Sequence, residues 1–340
     1  MAADERFLVT GALGCIGAWT VRELARERTP VVAFDLGENR RRVAQITSPD
    51  ELAAITFVKG DVTDLAALER ALDEHDITNV VHLAALQVPF CRADPPLGAL
   101  VNVVGTVNVF EAVRRTGRMA HPIVYTGSMG MYDTSDVDPA TGRLEEGADP
   151  HPGNHYGVYK HANEGNARIY WQDAGVASVG LRPMTVFGAG RDQGMTSSPT
   201  VAIAAAVLGV PFEISFGGRT LFQYAEDVAR TLLLASRSEP IGARTFNLGG
   251  ERVAIGDWVA AIERAVPEAA GLITVAPTEL PFPSAIAHDS LASLGDVPVT
   301  PHRDAIAASA DIFRRLAAEN RLIGSEQGVP AAPSPSASGA

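Results

Sequence analysis

Short apolar runs rich in β-branched residues recur along the first half of the chain, and longer stretches with helical periodicity separate them. Residues 7–10, 31–34, 55–58, 80–83, 123–126 and 178–181 read as strands. Residues 101–115 and 156–171 carry apolar positions at the spacing of an amphipathic helix, and another helix follows a glycine-rich loop to about residue 27. Strand–helix alternation of this kind predicts an α/β fold with a doubly wound parallel sheet, covered by helices on both faces. After residue 183 the rhythm changes. Residues 184–220 are rich in Gly, Pro and Ser around one apolar helix at 200–208. A βα-like pattern returns at 222–234 and a strand at 245–248. Residues 256–321 then combine a helix, a Pro-rich loop at 277–283 and a final helix. The pattern divides the chain into a main unit, 1–183 plus 222–255, and a smaller region built from separated segments, 184–221 plus 256–323. Residues 325–340 are dominated by Ser, Pro, Ala and Gly and read as a disordered tail.

The composition narrows the class. Of the 340 residues, 46% are apolar and 20% charged, as in a folded globular protein. The 28 Lys and Arg are outnumbered by 40 Asp and Glu, giving a net charge of −12, which argues against a nucleic-acid partner. No apolar run reaches the roughly 18 residues needed to cross a bilayer, so no membrane association is expected. The N-terminus enters a strand almost at once, so no signal peptide is expected. Two cysteines, Cys15 and Cys91, fit a reducing cytoplasm and rule out a disulfide scaffold. His151, His155 and His161 crowd one segment, but their neighbours are Pro, Gly and Asn, and no metal site is expected.

The first strand runs into Gly11-Ala12-Leu13-Gly14-Cys15-Ile16-Gly17, a G-x-x-G-x-x-G loop opening a helix. Such a loop needs one glycine for a tight turn, one where backbone approaches a diphosphate, and one where the helix packs on the strand. The helix N-terminus then offers free N–H groups and a positive dipole end to the phosphates. Asp35 closes the second strand, where a carboxylate holds a ribose 2′-hydroxyl and repels a 2′-phosphate. Together these features predict a Rossmann-type unit that binds NAD in preference to NADP. The run Arg40-Arg41-Arg42 reads as a solvated helix face, and Cys15 as a small packing residue rather than a reactive thiol.

Tyr156 and Lys160 are four residues apart at the start of a helical pattern, which puts them on one face. A free tyrosine has a pKa near 10 and is a poor base at neutral pH. A neighbouring ammonium favours the phenolate and is expected to lower that pKa. Ser128 follows the fifth strand, at the carboxyl edge of the sheet where ligands of open α/β sheets bind. Its hydroxyl is placed to hold a substrate oxygen in line with Tyr156.

These residues resemble the extended short-chain dehydrogenase/reductase family, also called the NAD-dependent epimerase/dehydratase family, over nearly the whole chain to about Arg321. Gly11, Gly14 and Gly17 fit its glycine motif, and Ser128, Tyr156 and Lys160 its catalytic triad. Asp61-Val62 fits its adenine-contacting pair, Leu83-Ala84-Ala85 its strand-four segment, and Asn102 its N-x-x-G-T helix. Arg182-Pro183 and Phe187-Gly188-Ala189-Gly190 resemble its R-P-x-x-V-Y-G-P-G stretch, which implies that backbone from Pro183 to Val186 faces the nicotinamide. The resemblance implies hydride transfer between NAD and a secondary alcohol or ketone. Tyr156 is then the general base, Lys160 holds the nicotinamide ribose and depresses the Tyr156 pKa, and Ser128 orients the substrate oxygen. It also implies a substrate-capping region and a homodimer formed through the helices near Val101 and Tyr156.

Three departures bear on the substrate. Family dehydratases carry Asp-Glu after the serine, where this chain has Met129-Gly130. Nucleotide-sugar members carry Asn at the position of Thr185 and often Arg-Asp-Phe-x-Tyr-Val-x-Asp, whereas Arg219 here is one place further from the aromatic. A small polar, sugar-like substrate without a nucleotide is therefore expected. Gln87, Ser128, Met129, Tyr132, Thr185 and Arg191 are its candidate contacts, with Arg191 meeting a carboxylate. The rival readings are a sugar or nucleotide-sugar epimerase with a transient ketone and no net NADH, and a non-catalytic NAD sensor.

Overall fold

The computed structural model describes residues 5–329, apart from 118 and 120. Seven parallel strands form the central sheet: β1 (Phe7–Thr10), β2 (Val31–Asp35), β3 (Ile55–Lys59), β4 (Asn79–His82), β5 (Ile123–Thr126), β6 (Ser178–Arg182) and, much later in the chain, β10 (Ala243–Asn247). Their order is β10-β6-β5-β4-β1-β2-β3, so the direction of winding reverses between β1 and β4. A second sheet of three strands joins β7 (Thr185–Phe187), β9 (Arg219–Tyr224) and β11 (Glu251–Ala254). A third pairs β8 (Phe212–Ile214) with β12 (Ile273–Val275).

The helices are α1 (Cys15–Arg26), α2 (Arg41–Ile46), α3 (Pro49–Ala53), α4 (Leu65–Glu74), α5 (Val88–Ala93), α6 (Pro95–Ala99), α7 (Gly105–Thr116), α8 (His155–Ala174), α9 (Ser198–Leu208), α10 (Ala225–Ser236), α11 (Ile255–Ala265) and α12 (His302–Ala318). Alternate residues of each central strand serve opposite layers, as the two-residue strand period requires. Phe7, Val9 and Val81 pack with Trp19 and Leu24 of α1 and Val228 of α10. Leu8, Val80 and Tyr125 pack with Leu68 of α4 and Phe110 and Val113 of α7. Asn154 caps α8, its side chain accepting from Gly157 N at 3.0 Å, and this fixes where the Tyr156–Lys160 face begins.

Three expectations from the sequence change. Pro95–Thr116 is a continuous helical stretch of 22 residues, with a π-helical turn at Leu100–Val104, and is long and apolar enough to cross a membrane by composition. Its inner face carries Asn102 and Thr106, which hydrogen-bond to Leu86 and His82 beside the sheet, so it is spent on covering β4 and β5. The 222–255 segment is also split, because β10 and α10 join the central layers whereas β9 and β11 belong to the three-stranded sheet. Finally, Gly324–Gln327 forms a 3₁₀ turn and Gln327 and Val329 are buried, Val329 in the main core. The expected tail is therefore ordered from 325 to 329, and its remainder, 330–340, lies outside the described residues.

Candidate active site

A cleft of about 680 Å³ opens at the carboxyl ends of β1 and β4, where the strand order reverses. It is lined by Gly11, Gly14, Cys15, Ile16, Gly17, Asp35, Asp61, Val62, Leu83, Ala84, Ala85, Gln87, Tyr156, Lys160, Pro183 and Arg191, all singled out from the sequence. Two glycines are sterically required. Gly11 has φ +66°, and a methyl group on it would lie 2.6 Å from Ala84 N; one on Gly17 would lie 2.2 Å from Gly11 O. Gly14 precedes α1 without a side-chain cap, so the first amides of that helix are left open along the cleft. At the far end, Asp35 accepts from Leu13 N and Gly37 N, each at 2.9 Å, which fixes its carboxylate.

Asn102, Ser128, Met129, Thr185 and Val186 do not line this cleft. Asn102 is buried, and its amide accepts from Leu86 N at 2.7 Å and donates to Leu86 O at 2.9 Å, so it positions the loop after β4. Met129 and Tyr132 are buried together with Leu144, Leu221 and Ile286. Ser128 instead lies by Tyr156, close enough for its hydroxyl to lower the Tyr156 pKa, and Ser128 Oγ accepts from Gly130 N at 3.0 Å. Lys160 is buried on the same face of α8, with Nζ 5.7 Å from the centre of the Tyr156 ring. Its ammonium donates to Thr126 O at 2.7 Å.

The electrostatics correct one expectation. Burial lowers the Lys160 pKa from 10.5 to about 8. Burial likewise raises the Tyr156 pKa, and the Ser128 hydrogen bond and the Arg191 guanidinium oppose that rise. In the free protein desolvation therefore outweighs any benefit from a nearby cation, because removing a phenolate from water costs more than charges several ångströms away return. Burial and the Lys160 charge push His82 down to about 3, so it is neutral between Thr10 Oγ1 at 2.7 Å and Thr106 Oγ1 at 3.0 Å. Cys15 is raised to about 11, mainly by burial, as suits a packing thiol.

Two arrangements were invisible in the sequence. Arg41 and Arg42 both bind the Asp192 carboxylate, Arg42 Nη2 at 2.7 Å, rather than facing solvent. No local spacing announces that pair, since Asp192 lies 150 positions from Arg42. In addition, Thr185 Oγ1 and Thr220 Oγ1 are 2.9 Å apart and fully buried. On β9 the one-place shift of the arginine reverses its face: Thr220 points inward and Arg219 is exposed.

Residues 7–249 match the model of the NAD dependent epimerase/dehydratase family. The chain belongs to this family. The UDP-glucose 4-epimerase of Mycolicibacterium smegmatis is 30% identical over 283 residues, covering 82% of this chain and 85% of that protein. The structure of the Thermus thermophilus UDP-glucose 4-epimerase in complex with NAD aligns with a TM-score of 0.74 at 26% identity, over 91% of this chain and 99% of that one. A partial-consensus L-threonine 3-dehydrogenase shares the fold with a TM-score of 0.79 at 22% identity, over 92% and 99%. The protein is accordingly an NAD-dependent enzyme built on a Rossmann-type sheet. Its cleft fits NAD: it offers an uncapped helix N-terminus for the diphosphate, a fixed carboxylate for a ribose, and a buried ammonium next to the serine–tyrosine pair.

Proposed function

We propose that this enzyme is an NAD-dependent oxidoreductase acting on a secondary alcohol, or the matching ketone, of a small polar, sugar-like molecule that carries no nucleotide. The observation that carries this reading is the fully buried Thr185–Thr220 pair. Nucleotide-sugar members of the family place an asparagine where Thr185 stands and an arginine seven residues before the aspartate matching Asp227. Both hydroxyls are fully buried and turned to each other, so neither is open to a diphosphate there.

Bound NAD supplies the hydride acceptor and, when oxidised, a positive charge. The chain supplies the rest. Ser128 Oγ hydrogen-bonds the substrate oxygen and aligns it with Tyr156. Tyr156 Oη withdraws the carbinol proton as general base. Lys160, anchored on Thr126 O, presents its remaining N–H groups to the nicotinamide ribose. Because burial raises the Tyr156 pKa, oxidation rates are expected to climb with pH through the neutral range. Exposed Val104 and Val158, on the flank made by the π turn and α8, support a homodimer; sedimentation of a Val104→Lys variant as a monomer is the expected outcome.

The functional test is incubation with NAD and a panel of free sugars, sugar acids and nucleotide sugars, followed by NADH absorbance and product NMR. NADH rising with a ketone or lactone from a free sugar or sugar acid is expected. A new stereoisomer of a nucleotide sugar, without NADH, would replace this reading with the epimerase one.

A further inference from the structure

The cleft contains a cation whose counter-charge has been taken elsewhere. Arg191 lines the cleft, its Nε is buried without a hydrogen-bond partner, and its Nη2 donates to Thr196 Oγ1 at 3.2 Å. The adjacent Asp192 would be its natural partner. Instead that carboxylate is almost wholly buried against Arg41 and Arg42 of α2. The loop thus commits its negative charge to α2 and leaves its positive charge at the cleft. The guanidinium is within electrostatic range of both Cys15, at the start of α1, and Tyr156. Gln87, at the start of α5, also lines the cleft. A methyl group on Gly194 would lie 2.1 Å from Gln87 Oε1 and 3.2 Å from Arg191 Nη2, so the bare backbone there lets these two side chains approach each other.

A guanidinium that lines the cleft with an unused, desolvated Nε–H and no carboxylate partner among the described residues is costly to leave unpaired, and its planar cation matches a carboxylate. We infer that Arg191, with Gln87 beside it, receives a carboxylate of the substrate, so that the substrate is a hydroxy acid. This rests on the oxidoreductase reading above and names its substrate class. The NAD diphosphate is the other anion within reach, but the uncapped amides of α1 already serve it.

The test uses the full chain loaded with NADH and follows its fluorescence. The probes are glycerate, threonate and gluconate, each against its alditol: glycerol, threitol and sorbitol. At least one acid is expected to bind about tenfold more tightly than its alditol, the gain typical of a charge-assisted hydrogen bond. Arg191→Gln should erase that difference and Arg191→Lys should keep part of it, while affinity for NADH stays within about twofold. Gln87→Ala, which removes the neighbouring amide and keeps the charge, is a second variant should Arg191→Gln fail to fold; it should weaken the acid and spare the alditol. Equal binding of acids and alditols, or no binding of any acid, overturns the inference. So does an Arg191→Gln variant that loses about tenfold in NADH affinity and keeps the acid preference, because the guanidinium then belongs to the diphosphate. Turnover of an alditol, insensitive to Arg191, would sink the inference and leave the oxidoreductase reading intact. Preferential binding of UDP-glucose would overturn both.

Discussion

Replacing Lys160 by methionine separates the cost of the active-site ammonium from its use. Lys160 is buried, and its pKa falls from 10.5 to about 8. That difference corresponds to about 3 kcal/mol against the charged form at pH 7. Methionine removes this penalty but leaves Thr126 O without its 2.7 Å donor, at a cost of about 1–3 kcal/mol. The variant, stripped of NAD, should therefore be more stable than the wild type by up to about 2 kcal/mol at pH 7, melting up to about 3 °C higher. The pH dependence gives the sharper check. Between about 8 and 10.5 the unfolded chain holds the Lys160 proton and the folded chain has lost it. Wild-type stability, measured against the variant, must then rise with pH in that window. Parallel thermal melts from pH 7 to pH 10.5 should show the variant's lead shrinking and then reversing. A lead that stays constant across the window would refute the claim that burial holds the ammonium at a cost. Turnover should be lost throughout, since the substituted side chain can hold no ribose hydroxyl.

Tyr156→Phe should cut turnover by about 10²- to 10⁴-fold while NADH fluorescence titration gives an unchanged affinity; unchanged activity would remove Tyr156 from the mechanism. Asp35→Ala should narrow the preference for NADH over NADPH in the same titration, because the fixed carboxylate no longer repels a 2′-phosphate. Glu164→Gln should lower stability in denaturant melts by about 3 kcal/mol, since it takes the charge from a buried two-point ion pair with Arg182 at 2.7 and 2.6 Å.

What the sequence determined by itself is what lies close together along the chain. The six early strands, the glycine loop, Asp35 at the end of β2, and the i, i+4 spacing of Tyr156 and Lys160 all depend on φ/ψ preference, side-chain period and local hydrogen bonding. The resemblance added Asp61, Val62 and the Leu83–Ala85 segment, and these also face the cleft. The tertiary structure decided whatever depends on partners far apart or on burial. The Asp192 ion pairs with Arg41 and Arg42 join α2 to a loop half a chain away, and they turn a basic run that reads as solvated into the support of that loop. The Thr185–Thr220 hydrogen bond exists only because β7 and β9 are neighbours in one sheet. Asn102, expected to touch the cofactor, is spent on the backbone of Leu86. The sign of the Tyr156 pKa shift also had to wait for the fold: spacing along a helix shows that a cation is near, but desolvation depends on how completely the surrounding layers exclude water.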